Sequence, residues 1–202
     1  MARVSETTKA EHRRRLLDAA AAEFAAKGLE GARVDDISLA AGLAKGTIYN
    51  YFDSKLEVFR AVIGEWTRRS AEVREVTAED APIGEKLRAI IIADMKAAEE
   101  MEEFARTAFR EVISAPADVV EQLLPAWDPV DEEMARVIVQ AQEAGELRTD
   151  RTPAELARMF VALVNGLMLE HWMPGSSVQL DDIADLAVDY YLDGARRPSV
   201  GT

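Results

Sequence analysis

Three observations predict an all-α protein of two parts. Apolar residues recur at three- and four-residue spacing in segment after segment, as they do along one face of a helix. No segment sustains the two-residue alternation of a half-buried strand. The stretch Val34 to Lys55, VDDISLAAGLAKGTIYNYFDSK, sets two short helical patterns around a glycine corner, which reads as a helix-turn-helix. The expected architecture is an N-terminal three-helix helix-turn-helix domain suited to DNA, followed by a second, wholly helical domain.

Composition fits this reading and narrows the function. The chain has 202 residues, 49% hydrophobic and 30% charged, enough for compact domains with a real core. It has no cysteine, which excludes disulfides, thiolate catalysis and a Cys-based zinc site. The opening residues MARVSETTKAEHRRR are polar and basic rather than apolar, so neither a signal peptide nor a membrane span is expected, and the protein is expected in the cytoplasm. The net charge of −13 is unevenly placed. Residues 1–63 carry 10 basic against 9 acidic side chains, and residues 64–202 carry 14 against 28. Such a body repels DNA except at its near-neutral N-terminal domain, where Arg13, Arg14, Arg15, Lys45 and Lys55 gather.

Residues 1–9 show no hydrophobic period and are expected to form a disordered arm. A first helix is predicted over about 10–27, with Leu16, Leu17, Ala20 and Phe24 on its apolar face and Gly28 as the residue that ends it. Its cations at Arg13 to Arg15 oppose the helix dipole, which points to phosphate contact rather than stability; His12 is expected to be an exposed surface residue. A short second helix carries Val34, Ile37 and Ala40/Ala41, with Asp35 and Asp36 in its first turn, and Gly42 closes it. A third is predicted over 44–51, burying Ile48 together with Phe52 and leaving Lys45, Gly46, Thr47, Tyr49 and Asn50 outward. Lys and Asn suit base-edge acceptors, Thr suits an edge or a thymine methyl, and Gly lets the backbone approach. Ser54 and Glu57 fit a capping box that opens a fourth helix running past Trp66, and Lys55 at its N-terminus is placed to hold a phosphate.

The run AAGLAKGTIYNYFDSKLEVF, preceded by a long helix, resembles the DNA-binding domain of the TetR family of transcriptional regulators over about residues 10–63. The order Ala-Gly, Lys-Gly-Thr, Tyr-x-Tyr-Phe, Ser-Lys carries the resemblance. It implies base or phosphate contact by Lys45, Gly46, Thr47, Tyr49, Asn50, Tyr51 and Lys55. Either tyrosine could instead simply pack. Two positions depart from the family pattern: Arg33 and Ala44 stand where a Ser or Thr commonly caps the two short helices. Arg33 is then a candidate phosphate contact, while Ala44 forfeits about 1 kcal/mol of capping.

From Thr77 to Gly84 a Pro- and Gly-containing run breaks the pattern, and the residues beyond it, within the second domain of 64–202, are helical in pattern throughout. Stripes run through Leu87, Ile90, Ile91 and Met95, then Met101, Phe104, Ala108, Phe109 and Val112, then Met134, Val137, Ile138 and Ala141. Thr152-Pro153-Ala154-Glu155 combines a capping box with proline at the first helical position. The helix it opens is apolar on more than one side. A final helix, expected to be capped by Asp181 or Asp182, carries Ile183, Leu186, Ala187, Tyr190 and Tyr191.

The family resemblance implies a homodimer joined by the last two helices and a small-molecule effector held in the second domain, with binding of the effector releasing a double-stranded operator. Phe160, Val161, Val164, Trp172, Leu186 and Tyr190 are the candidate dimer residues, with Gly166 allowing a close crossing. Met95, Phe104, Phe109, Trp127, Met134, Phe160 and Met168 are soft or aromatic residues suited to an apolar ligand, and Asn165 and His171 are its candidate polar anchors, although each also suits ordinary core. A DNA-binding dimer without a ligand, or an activator, remains open at this point. Two histidines, no cysteine and acid runs that read as solvated helix faces give no catalytic or metal-ligand constellation, so neither an enzyme, a metal nor a cofactor is expected.

Overall fold

The computed structural model of the protein describes residues 6–73 and 80–195. Its elements are the helices α1 (Glu6–Gly31), α2 (Val34–Ala40), α3 (Lys55–Val73), α4 (Ile83–Glu100), α5 (Glu102–Ser114), α6 (Ala117–Leu123), α7 (Asp128–Glu143), α8 (Pro153–His171) and α9 (Ile183–Ala195). One-turn 3-10 segments stand at Thr47–Asn50, Leu124–Ala126 and Leu180–Asp182. None of the described helices is long and apolar enough to cross a membrane.

The chain forms two compact units. The first combines the described part of Met1–Arg68 with Ala98–Trp127, so α5 and α6 share a unit with the helix-turn-helix, where the sequence suggested a division after residue 63. Its core gathers Leu16, Ala20 and Phe24 of α1, Ile37 of α2, Ile48, Phe52, then Phe59, Val62 and Ile63 of α3, and Phe104 and Ala108 of α5. Three of these rings form one aromatic cluster. Phe24 meets Phe59 edge-on at 4.9 Å, and Phe104 lies 5.3 Å from Phe59.

Helix α1 begins earlier than its hydrophobic period does. Residues 1–5 of the expected arm lie outside the described residues, but 6–9 are helical, because Glu6 suits the positive end of the dipole and Lys9 reaches it at 3.5 Å. The helix breaks at the expected Gly28, with φ 70°. The Leu29 N–H beyond the break donates to the Glu111 carboxylate of α5 at 3.1 Å.

The second unit comprises Arg69–Ala97 and Asp128–Thr202 as far as they are described. Leu87, Ile90, Met134, Ile138, Leu156, Phe160, Val164, Met168, Ile183 and Ala187 are buried there. The start of α4 packs on α9, where a Cβ on Gly84 would meet Leu192 and Val188, and Arg88 of α4 pairs with Asp185 and Asp189 of α9. The α7–α8 loop is stitched by the Gln142 amide, which donates to the carbonyls of Arg148 and Arg151. Helix α8 opens with the full capping box: Glu155 N–H donates to Thr152 Oγ1 at 3.2 Å, and Thr152 N–H to the Glu155 carboxylate at 2.8 Å. At α9 the expected cap is absent. Asp181 and Asp182 lie within a 3-10 turn that leads directly into the helix, so neither side chain caps it.

Candidate nucleic-acid interface

The helix-turn-helix is built around the end of α2. Gly42 takes φ 70°, the left-handed conformation that glycine adopts without Cβ strain. Its N–H donates to the Leu39 carbonyl and the Leu43 N–H to the Ser38 carbonyl, both at 2.9 Å, which is the double bond of a Schellman ending. The Arg15 guanidinium donates to the Ala41 carbonyl from α1, so a cation also sits on the negative end of α2. A Cβ on Gly42 would collide with that guanidinium.

The recognition segment departs from its prediction. In place of a two-turn α-helix over 44–51, the chain forms a single 3-10 turn at Thr47–Asn50, entered through Gly46 with φ 75°. The physical reason lies in Ala44 and Gly46. No hydroxyl at 44 caps an earlier start, and a left-handed residue at 46 ends any helix that tried to begin before it. Gly46 therefore serves backbone conformation first, and with nothing within 4 Å of its missing Cβ it also stays open to approach. The first amide of the buried face is satisfied from across the corner: Ile48 N–H donates to Ser38 Oγ at 3.3 Å.

With three residues per turn, Ile48 and Tyr51 point inward and the rest point out. Ile48 is buried, Tyr51 is half-buried against the core, and Lys45, Tyr49 and Asn50 are exposed with Thr47 half-buried beside them. Tyr49, 56% exposed, is thus free to meet a partner. Tyr51 instead has its hydroxyl 3.2 Å from His12 Nδ1 of α1. That contact also corrects His12, which is half-buried rather than a free surface residue.

The other cations are more engaged than their sequence suggests. Lys55 donates to the carbonyls of Glu30 at 2.9 Å and Ala32 at 3.3 Å, tying α3 to the end of α1 and leaving one N–H for another acceptor. Ser54 Oγ accepts the Glu57 N–H, but the Glu57 carboxylate reaches the Asp53 N–H rather than closing the box on Ser54. Arg33 is exposed, and its side chain makes no cap bond to α2. Arg13 stacks over Phe52 at 5.5 Å, and Arg14 is bound to Glu11 and Asp18. The bond with Arg14 holds the Glu11 carboxyl below its ordinary range.

Ser38, Glu111 and His12 were not legible as site residues, and Arg15, read as a phosphate contact, turns instead to the Ala41 carbonyl. Only Ser38 carried a signal, as a hydroxyl on the apolar side of α2 one turn before the glycine corner, where the next segment's amide needs an acceptor.

The candidate effector residues divide between the two units. Phe104, Phe109 and Trp127 belong to the first, and Met95, Met134, Phe160, Asn165, Met168 and His171 to the second. Phe104 is an integral part of the DNA-binding core, and Phe109 lies 6.2 Å from Trp66. Phe160 meets Tyr191 edge-on at 4.9 Å, while burial raises the Tyr191 hydroxyl to about 12. His171 Nδ1 lies 2.9 Å from the Val178 carbonyl, which can only accept, so this nitrogen carries the proton and fixes the turn after α8. Among the dimer candidates, Phe160 and Val164 lie inside the unit's own core, Val161, Trp172 and Leu186 are half-buried, and Tyr190 is 68% exposed. The exposed stripe of α8 is instead Met159, Ala162, Gly166 and Leu169, with Met173 exposed in the turn just beyond the helix.

Comparison with known proteins agrees with this geometry. The family model described as bacterial regulatory proteins, tetR family, matches residues 16–62, and that of the tetracyclin repressor-like C-terminal domain matches residues 80–195. The chain is 28% identical to the HTH-type transcriptional repressor KstR2 of Rhodococcus jostii, with 94% of each chain covered. Its fold is similar to that of SmeT, the repressor of the Stenotrophomonas maltophilia multidrug efflux pump SmeDEF, at a TM-score of 0.70 and 24% identity over 94% of this chain and 93% of that one. It is similar also to FadR of Bacillus subtilis solved with stearoyl-CoA, at a TM-score of 0.76 and 18% identity over 91% and 99%.

Proposed function

The chain belongs to the TetR family of transcriptional regulators, and from that premise we propose that it is a homodimeric repressor released from a pseudo-palindromic operator by a small, largely apolar ligand. Residues 10–63 serve the DNA and residues 64–202 the effector and the dimer contact, even though α5 and α6 pack with the former. The observation that carries the DNA half of the reading is the recognition turn. It offers Lys45, Tyr49 and Asn50 to solvent from a backbone locked by Gly42, Ser38 and Ile48. Thr47 and Gly46 complete the base-reading surface, and Tyr51, Lys55 and Arg33 are its phosphate contacts.

Two such turns, one per subunit, would enter successive major grooves about 34–36 Å apart. The exposed α8 stripe, with Tyr190 beside it, supports the homodimer. An apolar effector is supported by the similarity in fold to FadR, solved with stearoyl-CoA. The protein acts in the cytoplasm, where its operator is.

Selection of bound duplexes from a random pool by the purified protein tests the reading. A two-fold symmetric consensus is expected, and thermal-shift screening of acyl chains and other apolar compounds against the protein on that site should find one that both stabilises the protein and frees the DNA. An asymmetric consensus would reject the dimeric reader, and stabilising compounds that leave the DNA bound would reject the release mechanism.

A further inference from the structure

The contact between His12 and Tyr51 joins α1 to the end of the recognition turn and has no part in the base-reading set. The imidazole Nδ1 is 3.2 Å from the phenol oxygen, and the rings meet edge to face at 6.5 Å and 70°. Both side chains are half-buried, so the pair is seated on the unit and yet reaches its surface. Tyr51 follows directly on Asn50, and Arg13, one residue beyond His12, lies over the Phe52 ring next to Tyr51. The pair therefore stands at the edge of the DNA-facing surface.

A phenol has one proton to donate, and a DNA phosphate oxygen can only accept. When Nδ1 carries no proton, the Tyr51 hydroxyl donates to it, and its only hydrogen is engaged within the protein. When Nδ1 carries a proton, the direction reverses: the imidazole donates, the phenol oxygen accepts, and the phenol O–H becomes available. The imidazolium makes the second arrangement obligatory and adds a positive charge. Imidazole is the side chain that changes charge between about pH 5 and 8.

We propose that His12 is a positioning residue for DNA binding, which on protonation turns the Tyr51 hydroxyl outward as a donor to a backbone phosphate, so that the complex takes up a proton as it forms. The inference rests on the DNA-binding reading. The groups around the imidazole are Tyr51 from the recognition turn and, on its own helix, Glu11, which is bound to Arg14, and Arg13 and Arg15, which are turned to Phe52 and to the Ala41 carbonyl. The chain has one other histidine, His171, whose Nδ1 is bound to the Val178 carbonyl. A difference between the parent and a His12 variant thus isolates a single imidazole.

A phosphate contact is independent of sequence, so the probe is a random-sequence duplex of about 30 base pairs at low salt. Its affinity for the full-length parent, His12→Gln and Tyr51→Phe is read by fluorescence anisotropy from about pH 8 to about pH 6. The parent should tighten over this range by several-fold more than His12→Gln, within the limit of about a hundredfold per pH unit set by one proton at each subunit of the bound dimer. Tyr51→Phe keeps the ring in its seat and should lose affinity chiefly at the acidic end. Thermal unfolding checks that the variants are folded, and if His12→Gln is not, Tyr51→Phe decides alone. Equal pH profiles for parent and His12→Gln, or a loss in Tyr51→Phe that is the same at both ends, would show a purely structural pair and overturn the proposal. A parent that fails to bind the duplex at any pH would overturn the DNA reading itself.

Discussion

Phe104 of α5 lies 5.3 Å from Phe59 of α3, with the rings tilted at 56°, inside the core that holds the helix-turn-helix together. The helix that the sequence assigned to the effector domain thus completes the hydrophobic centre of the DNA-binding unit. Phe24 closes the cluster 6.5 Å from Phe104. Replacing Phe104 by Ala leaves a ring-sized void in a packed core and should cost about 3–5 kcal/mol. Urea unfolding should show the loss as a lower midpoint, with DNA binding lost through unfolding. An unchanged midpoint together with an altered ligand response would instead return Phe104 to the effector pocket.

Gly42 stands under two constraints at once. Its φ of 70° disfavours any side chain, and a Cβ would displace Arg15 from the Ala41 carbonyl. Gly42→Ala should therefore destabilise the first unit by about 1–2 kcal/mol from backbone strain, with the lost Arg15 bond added. Because the new Cβ already displaces the guanidinium, Arg15→Ala in the Gly42→Ala background should cost little further. A double-mutant cycle by chemical unfolding measures this coupling, and strict additivity of the two changes would separate the glycine from the arginine.

How far the sequence revealed the molecule depends on the range of the interaction. Helix class, the glycine corner, the α8 capping box and the buried pair Ile48 and Phe52 follow from residues three to five apart, and periodicity and capping chemistry see that far. The recognition segment was misjudged because residue spacing cannot distinguish an α from a 3-10 turn, and one left-handed glycine decides between them. His12 and Tyr51 lie 39 positions apart, and Leu29 and Glu111 lie 82 apart. No local pattern encodes such pairs. Phe104 and Phe160 were read as possible ligand contacts because an apolar stripe does not say whether it faces protein or cavity.

The start of α8 should be sensitive to acid. The Arg148 guanidinium, bonded to both Asp150 oxygens at 2.6 Å, lowers that carboxyl to about 2, and the Thr152 backbone and hydroxyl lower Glu155. A carboxyl depressed in the folded state contributes stability that is complete above its unfolded value, about 3.9 for Asp, and is lost as pH falls toward the folded value. The contribution of Asp150 should thus fade between about pH 4 and pH 2. It is modest, since the pair is at the surface and screened by salt. The melting difference between the parent and Asp150→Asn should shrink as the pH is lowered over that interval. A constant difference would mean that Asp150 acts through loop geometry rather than through its charge.

The exposed apolar stripe of α8 offers the sharpest test of assembly. Met159, Ala162, Gly166 and Leu169 recur at alternating spacings of three and four, the period of a helix seam, with small residues at its centre and large ones at its ends, and Met173 follows in the turn beyond the helix. Met159 and Met173 are 63% and 60% exposed in the single chain, and nothing lies within 4 Å of a Cβ built on Gly166. Within one subunit, Gly166→Ala should therefore stabilise α8, by up to about 1 kcal/mol of helix propensity. If two copies of α8 cross closely there, the same methyl group should weaken the dimer. The two effects have opposite signs and separate readouts, thermal unfolding at a concentration where the protein is monomeric and sedimentation equilibrium for association. Met159→Glu should dissociate the dimer and leave a folded monomer, because the side chain is already in solvent, whereas a charge at buried Val164 should unfold the unit. A Gly166→Ala protein that is more stable and equally dimeric would place the subunit contact on another face.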